Sequence, residues 1–318
     1  MQIPLWGLLS GALALSGSGA ALASCGAAFC VLNTSWNTQG IPNEPGTVRL
    51  DVRYEFVDQK HLRMGSKQIS PAEDTADTTE LRTINRNLLT TVDYAFSKNW
   101  SVSASLPVVS RSHSHIDDPT GAATFEAWSF TKAGDARVLG FYRFDNDNPL
   151  VSYGLTFGLK LPTGDYRVTN AAGTVAERAL QPGTGSTDAV LGGYYSGPGM
   201  GLDASWFAQA LVQQAATTKD SFKPGTQYQL NVGYRHPVTG SLQLLLQLNT
   251  LVKTRDTGLN AEPDLSGSKT IFLSPGLSYS ITRDVQAYGF VQAPIYRYVN
   301  GTQLSADWAV IAGVSMRF

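Results

Sequence analysis

The feature that most constrains this chain is a strict two-residue alternation of apolar with small or polar side chains, repeated along most of its length. In the segment 151–161, "VSYGLTFGLKL", every odd position is apolar and every even position is small, polar or basic. A period of two places successive side chains on opposite faces of a β-strand. The sequence therefore predicts an all-β protein whose strands have one apolar and one polar face.

This alternation recurs in segments that pair as consecutive antiparallel hairpins. The predicted strands lie at about 47–56, 88–96, 100–108, 133–144, 150–161, 186–195, 200–213, 226–235, 241–253, 269–281, 285–296 and 303–318. Their connections alternate between short turns and longer loops, the longest being 57–81, 112–132 and 162–185. Short connections then fall at one end and long ones at the other, which is typical of bacterial outer-membrane barrels.

The composition agrees with a membrane-embedded β-protein. Charged residues make up 15% of the 318 residues, against about 25% in soluble domains. A net charge of −1 gives no reason to expect a nucleic-acid partner. After residue 24 no apolar run reaches the roughly 18 residues of a transmembrane helix. Because unpaired strand edges are costly in lipid, we predict a closed, twelve-stranded antiparallel transmembrane β-barrel over 47–318; a soluble β-sandwich is the alternative.

The first residues resemble an export signal. Residues 1–24 are rich in leucine and small residues, although no basic residue begins the segment. We predict a signal peptide over 1–24, a periplasmic lead-in or short plug over 25–46, and location in the bacterial outer membrane.

Two outcomes compete for the first cysteine. The "ALA" at 21–23 is a cleavage signal, while "LASC" at 22–25 equally fits a lipoprotein box. Cys25 is therefore either acylated or joined to Cys30 in a disulfide, which the oxidising periplasm would permit. Two cysteines alone make a weak metal site.

In a closed barrel the polar face of each strand lines the lumen. Large residues share this inward alternation at Phe141, Phe207, Tyr288 and Phe290, so partial occlusion is an open alternative. We expect no catalytic residue, no metal site and no cofactor. The predicted pore-lining ionisable residues are Arg49, Asp51, Arg53, Glu55, Asp93, Asp135, Arg137, Arg143, Lys160, Arg235 and Lys253.

The segment "HSHIDD" at 113–118 is the one cluster of metal-type ligands in the sequence. We expect a hydrated outer loop here, although on a strand His113 and His115 would share one side and could form a divalent-ion site. A hydrolase would need an oriented serine–histidine pair, and the four histidines lie in no recognisable nucleophile motif.

Four segments carry a resemblance to a known family: "SLPVVSR" at 105–111, "AGDARVLGFYRF" at 133–144, "GLKLPTGDYR" at 158–167, and 292–304 with the following "ADWAVIAGVSMRF". Together they resemble outer-membrane proteins of a phenol-degradation (MetA) pathway. The resemblance implies a transporter-like barrel and carries over no catalytic residue.

The terminal Phe318, preceded by alternating apolar residues, looks like the signal read by the barrel-assembly machinery. The expected partners are therefore outer-membrane lipid, that machinery and a small-molecule solute. The function we expect is passive passage of a small solute, with selectivity set by pore width and wall charge. A non-conducting structural or adhesin-type barrel, and a hydrolase, are the alternatives.

Overall fold

A computed structural model of the chain describes residues 44–74, 78–118 and 122–318. The predicted signal peptide over 1–24, nearly all of the predicted lead-in over 25–46, and both Cys25 and Cys30 lie outside these residues.

The described chain is made of β-strands, with two single-turn 3-10 helices at Pro71–Glu73 and Pro263–Leu265. No helix in the described ranges has the length and apolar character needed to cross a membrane. The strands are β1 (Val48–Gly65), β2 (Lys67–Gln68), β3 (Thr78–Ala95), β4 (Trp100–Asp117), β5 (Thr124–Ala133), β6 (Arg137–Arg143), β7 (Ser152–Lys160), β8 (Asp188–Pro198), β9 (Ser205–Ala215), β10 (Gln227–Pro237), β11 (Leu242–Lys253), β12 (Ser268–Ser280) and β13 (Val285–Arg317).

These strands form a closed antiparallel barrel, which confirms the predicted all-β barrel architecture. Each ring strand pairs with its sequence neighbours, and β13 closes the ring by pairing with β1, with Leu50 opposite Met316. Eleven strands make the ring, while β2 and β5 lie beside it on β1 and β4. Closure leaves no open edge in the ring, so backbone donors and acceptors along it are paired.

The two ends of the barrel differ as the sequence predicts. The turns after β3, β8, β10 and β12 are short and lie at one end. Phe318 also lies at this short-turn end, where its amide donates to the Val48 carbonyl at 2.9 Å. The longest connection, 161–187, lies at the opposite end.

Two expected loops are instead largely strand. β1 continues to Gly65 and β3 begins at Thr78, so most of the predicted 57–81 loop is a hairpin. β4 likewise runs to Asp117, and β5 covers residues 124–132 of the predicted 112–132 loop. The prediction was wrong here because polar residues occupy both faces of these extensions, which leaves no apolar face to produce the alternation.

The burial pattern follows the two faces of each strand. In β7, Tyr153, Leu155 and Phe157 are exposed on the outer wall, whereas Thr156 and Lys160 are buried inside. This side-chain direction matches the alternation read from 151–161. The outer wall is therefore apolar and the inner wall polar.

Part of the lumen is filled by aromatic side chains, as the inward positions of Phe207, Tyr288 and Phe290 suggested. These three rings and Phe141 are all buried. Phe290 lies against Gly276 of the neighbouring strand, where an added Cβ would come within 2.3 Å of the ring. Glycine at this position therefore allows the ring to lie flat against the wall.

Candidate functional site

The connection between β7 and β8, residues 161–187, folds into the barrel; we call it the inner loop. Its Ala176 and Leu180 are buried against Leu62 of β1 and Leu304 of β13. Because β1 and β13 lie across the ring from β7, these contacts carry the loop across the lumen.

Two hydrogen bonds hold the middle of the inner loop to β4 and β5. The Trp128 indole donates to the Thr174 carbonyl at 3.0 Å. The Arg111 guanidinium donates to the Leu180 carbonyl at 2.6 Å. Since these donors come from two strands of the sheet, they fix the middle of the inner loop against the inner face of β4 and β5.

Asp135, at the break between β5 and β6, anchors both ends of the inner loop. Its carboxylate accepts the Gly164 amide at 3.0 Å and the Thr184 amide at 2.9 Å. It also pairs with Lys160 at 2.8 Å, with both side chains at most 7% exposed. The segments "AGDARVLGFYRF" and "GLKLPTGDYR", which contribute to two consecutive strands, therefore also meet at this carboxylate.

Lys160 extends this anchor into a buried polar network. Its ammonium also lies 3.3 Å from Asp188 and donates to Thr184 and Ser186. Gln213 donates to Asp188 at 2.6 Å and accepts from Arg137 at 2.6 Å. The network thus fixes ionisable groups from three ring strands, together with Asp135 and two hydroxyls of the inner loop, around one point of the lumen.

Beside this network the lumen holds a cavity of about 270 Å³ between the inner loop and the wall. Six of the eleven predicted pore-lining residues border it: Arg53, Glu55, Asp135, Arg137, Lys160 and Lys253. Arg53 pairs with Glu55 at 2.9 Å, and Lys253 pairs with Asp256 at 2.8 Å. The cavity is therefore the place where the predicted lining residues come together.

The other five predicted lining residues lie elsewhere. Arg49 donates to Asp93 at 2.8 Å, and both are buried inside the ring. Asp51 is also buried and accepts the Tyr288 hydroxyl at 2.9 Å. Arg143 and Arg235 are half-buried in the last residues of β6 and β10, outside the cavity lining.

Two cavity cations were missed in the sequence, Arg111 and Arg178. Arg111 continues the inward odd-numbered positions of β4, so extending the alternation beyond residue 108 would have found it. Arg178 lies in the inner loop, where the sequence has no periodicity that indicates which way a side chain points.

The histidine segment is not the hydrated loop that we expected. His113 and His115 lie in β4 and are 3% and 0% exposed, because the strand continues with its odd positions inward. His113 bonds Thr83 at 2.8 Å, and His115 lies 3.6 Å from Glu126 and 3.7 Å from Glu177. In the part of the chain that the structure describes, no three metal-type ligands are grouped to hold an ion.

Burial controls the protonation of this cluster. It lowers the pKa of His113 to about 3, with the neighbouring His115 and Arg111 acting in the same direction. Burial also lowers the pKa of His115, against the opposing effect of Glu126, and raises that of Glu177. Both imidazoles are therefore neutral near pH 7.

The closed wall, apolar outside and polar inside, defines a channel- or transporter-like β-barrel. The family model described as "Putative MetA-pathway of phenol degradation" matches residues 78–318, and the chain belongs to that family. All four segments that carried the resemblance lie within the matched range.

One solved structure shows the same fold at low sequence identity, and two porins are more remotely similar. An outer membrane channel from Pseudomonas putida F1 is 13% identical, with a TM-score of 0.66 over 88% of this chain and 97% of the channel. The KdgM porin is 12% identical, with a TM-score of 0.43 over 85% and 99% of the two chains. The NanC porin is 11% identical, with a TM-score of 0.47 over 84% and 98%. No curated protein matches the chain.

Proposed function

We propose that this protein is a bacterial outer-membrane channel for passive passage of a small solute. The observation that carries the proposal is the polar, ion-pair-lined cavity inside a closed barrel whose outer wall is apolar. Such a wall suits lipid outside and an aqueous path inside. The inner loop sets the narrowest part of that path, and the charges at Arg53, Arg137 and Lys160 select among solutes.

The outer face of β4 supports the membrane placement and marks its limit. Between Trp100 and Val108 the outward residues are apolar, and these nine residues match the roughly 9–11 of a tilted membrane strand. The next outward residues are Ser110, Ser112 and Ser114. We therefore place the membrane boundary near residue 109, with the histidine cluster and the inner-loop Glu177 beyond it.

Aromatic residues form a belt on the outer wall at the short-turn end. Trp100 contacts Tyr142 with ring centroids 4.8 Å apart. The contacts continue from Tyr153 to Tyr195 at 6.4 Å and on to Trp206 at 5.1 Å. Tryptophan and tyrosine favour the membrane–water interface, so we assign this belt to the periplasmic boundary.

We propose twelve membrane crossings, because β13 supplies two. Its 33 residues would extend about 110 Å, far beyond the roughly 30 Å of bilayer hydrocarbon. Val299 pairs with both Ser268 of β12 and Gly65 of β1. A Cβ at Gly289 would lie 3.5 Å from the Ile311 carbonyl oxygen, which supports side-by-side packing of the two halves of β13.

The experiment that tests this function is solute entry into liposomes that contain the refolded protein. Swelling in small sugars or amino acids, together with stepwise conductance in planar bilayers, is the expected result. Protein that inserts but gives neither swelling nor conductance would contradict the proposal. That result would favour the non-conducting structural barrel, for which the buried Phe207, Tyr288 and Phe290 are the supporting observation.

A further inference from the structure

The lining of the lumen cavity has an excess of positive charge. Among the described residues, it contains six basic side chains and three acidic ones, Glu55, Asp135 and Asp256. The formal difference is three positive charges. The six basic residues are Arg53, Arg111, Arg137, Lys160, Arg178 and Lys253.

Each of the three carboxylates is already paired with a lining cation. Glu55 lies 2.9 Å from Arg53. Asp135 lies 2.8 Å from Lys160, and Asp256 lies 2.8 Å from Lys253. The excess charge is therefore not offset by the acidic groups that share the cavity wall.

Two of the remaining cations make hydrogen bonds mainly to neutral groups. Arg137 donates to the Gln213 side-chain oxygen at 2.6 Å. Arg178 donates to the Thr184 carbonyl at 2.6 Å and to the Tyr166 carbonyl at 3.4 Å, and Asp220 is 4.0 Å away. Hydrogen bonds to neutral acceptors thus orient both guanidiniums, while Asp188 and Asp135 act on Arg137 electrostatically without a direct hydrogen bond. Part of the charge of both groups therefore remains available to an anion.

The cavity also has an apolar wall. Leu89, Leu251 and Phe222 border it, and the Arg178 guanidinium stacks over the Phe222 ring at 4.8 Å. Its volume of about 270 Å³ is near the lower end of ligand pockets, which span roughly 300–1,000 Å³. A ligand that uses all of this lining is small, carries negative charge and has an apolar body.

We propose that this cavity is a binding site for small organic anions with an apolar body, such as aromatic or short aliphatic carboxylates, held by Arg137 and Arg178. This inference rests on the proposed channel function and names its solute class. Clefts lined by one sign of charge concentrate counter-ions, so the same residues make the channel anion-selective.

The test compares wild type with Arg137→Gln, Arg178→Gln and the double variant in planar bilayers under a potassium chloride gradient. Arg86→Gln is the matched control, because Arg86 is exposed on the outer face of β3. We expect the wild-type reversal potential to indicate anion selectivity, and the double variant to lower the anion-to-cation permeability ratio at least threefold. We also expect benzoate to reduce the wild-type current, and neutral benzyl alcohol at the same concentration to leave it unchanged.

Binding is measured separately from conductance through the melting temperature of the protein in detergent, with and without benzoate. We expect benzoate to raise the melting temperature of wild type and Arg86→Gln, and to leave the double variant unchanged. Conductance with cation selectivity, or equal effects of benzoate and benzyl alcohol, would overturn the anion site while the channel function stands. If benzoate stabilises the wild type but no conductance is seen, the anion site stands and the channel function is refuted. If benzoate does not stabilise the wild type and no conductance is seen, both proposals are refuted.

Discussion

Replacing Asp135 with alanine should release the inner loop from the lumen. The substitution removes the acceptor of the Gly164 and Thr184 amides and the closer of the two carboxylates that pair with Lys160, at 2.8–3.0 Å. Breaking a buried ion pair costs about 3–5 kcal/mol. Lys160 keeps Asp188 at 3.3 Å, so we take the lower value of about 3 kcal/mol. At about 1.4 kcal/mol per factor of ten, the released population rises roughly 100-fold.

Two assays follow the release of the loop. Trypsin should cut Asp135→Ala faster than wild type after Arg178, whose side chain is 14% exposed in the docked loop. Single-channel conductance should rise, because the loop no longer narrows the lumen. Asp147→Ala is the control, since this aspartate is exposed in the turn between β6 and β7. Equal cleavage rates and equal conductance in Asp135→Ala and wild type would refute the anchoring role.

Three further predictions concern the barrel wall and the hairpin formed by β4 and β5. Gly276→Ala should lower the free energy of unfolding in urea by about 1–3 kcal/mol, because the new Cβ would lie 2.3 Å from the Phe290 ring. Gly240→Ala is the control, because an added Cβ there meets nothing within 4 Å. Equal urea midpoints for the two variants would contradict this prediction. Trp128→Phe should remove the hydrogen bond from the indole to the Thr174 carbonyl, worth about 1 kcal/mol, and so speed trypsin cleavage after Arg178. An unchanged cleavage rate would argue that this hydrogen bond does not hold the inner loop. Since the pKa of His113 falls from 6.5 to about 3 on folding, its contribution to stability is complete above pH 6.5 and decreases from pH 6.5 to 3. The protection factors of the 108–117 amides, which correct for the intrinsic pH dependence of exchange, should fall as the pH is lowered over that range, and less so in His113→Gln. Protection factors that do not change with pH would contradict the assignment.

The wall of the barrel was predictable because one physical rule governs it: successive side chains of a strand point to opposite faces. In β7 every second residue is apolar and the residues between are small, polar or basic, so the sequence alone indicates that Leu155 faces outward and Thr156 inward. Beyond the apolar band this alternation is absent. Arg82 faces outward and Thr83 faces inward, so both faces of this part of β3 are polar and the sequence shows no alternation that would predict a strand.

The cavity itself was predictable only where its residues lie on alternating strands. Arg53, Arg137 and Lys160 fall on the inward positions of β1, β6 and β7 and were found in this way. The path of the inner loop depends on tertiary contacts of Asp135, Trp128 and Arg111, which local periodicity does not encode. Arg178 could therefore be located only from the structure.

The measurement that tests the channel function most directly is block of conductance by a positively charged thiol reagent. Ser105→Cys places the thiol in the cavity lining, and Ser110→Cys places it on the outer face of the same strand, both in a chain with Cys25→Ser and Cys30→Ser. We predict that the reagent reduces single-channel current through Ser105→Cys and leaves Ser110→Cys unchanged. Conductance unaffected at both positions, although mass spectrometry shows modified Ser105→Cys, would contradict passage through this lumen.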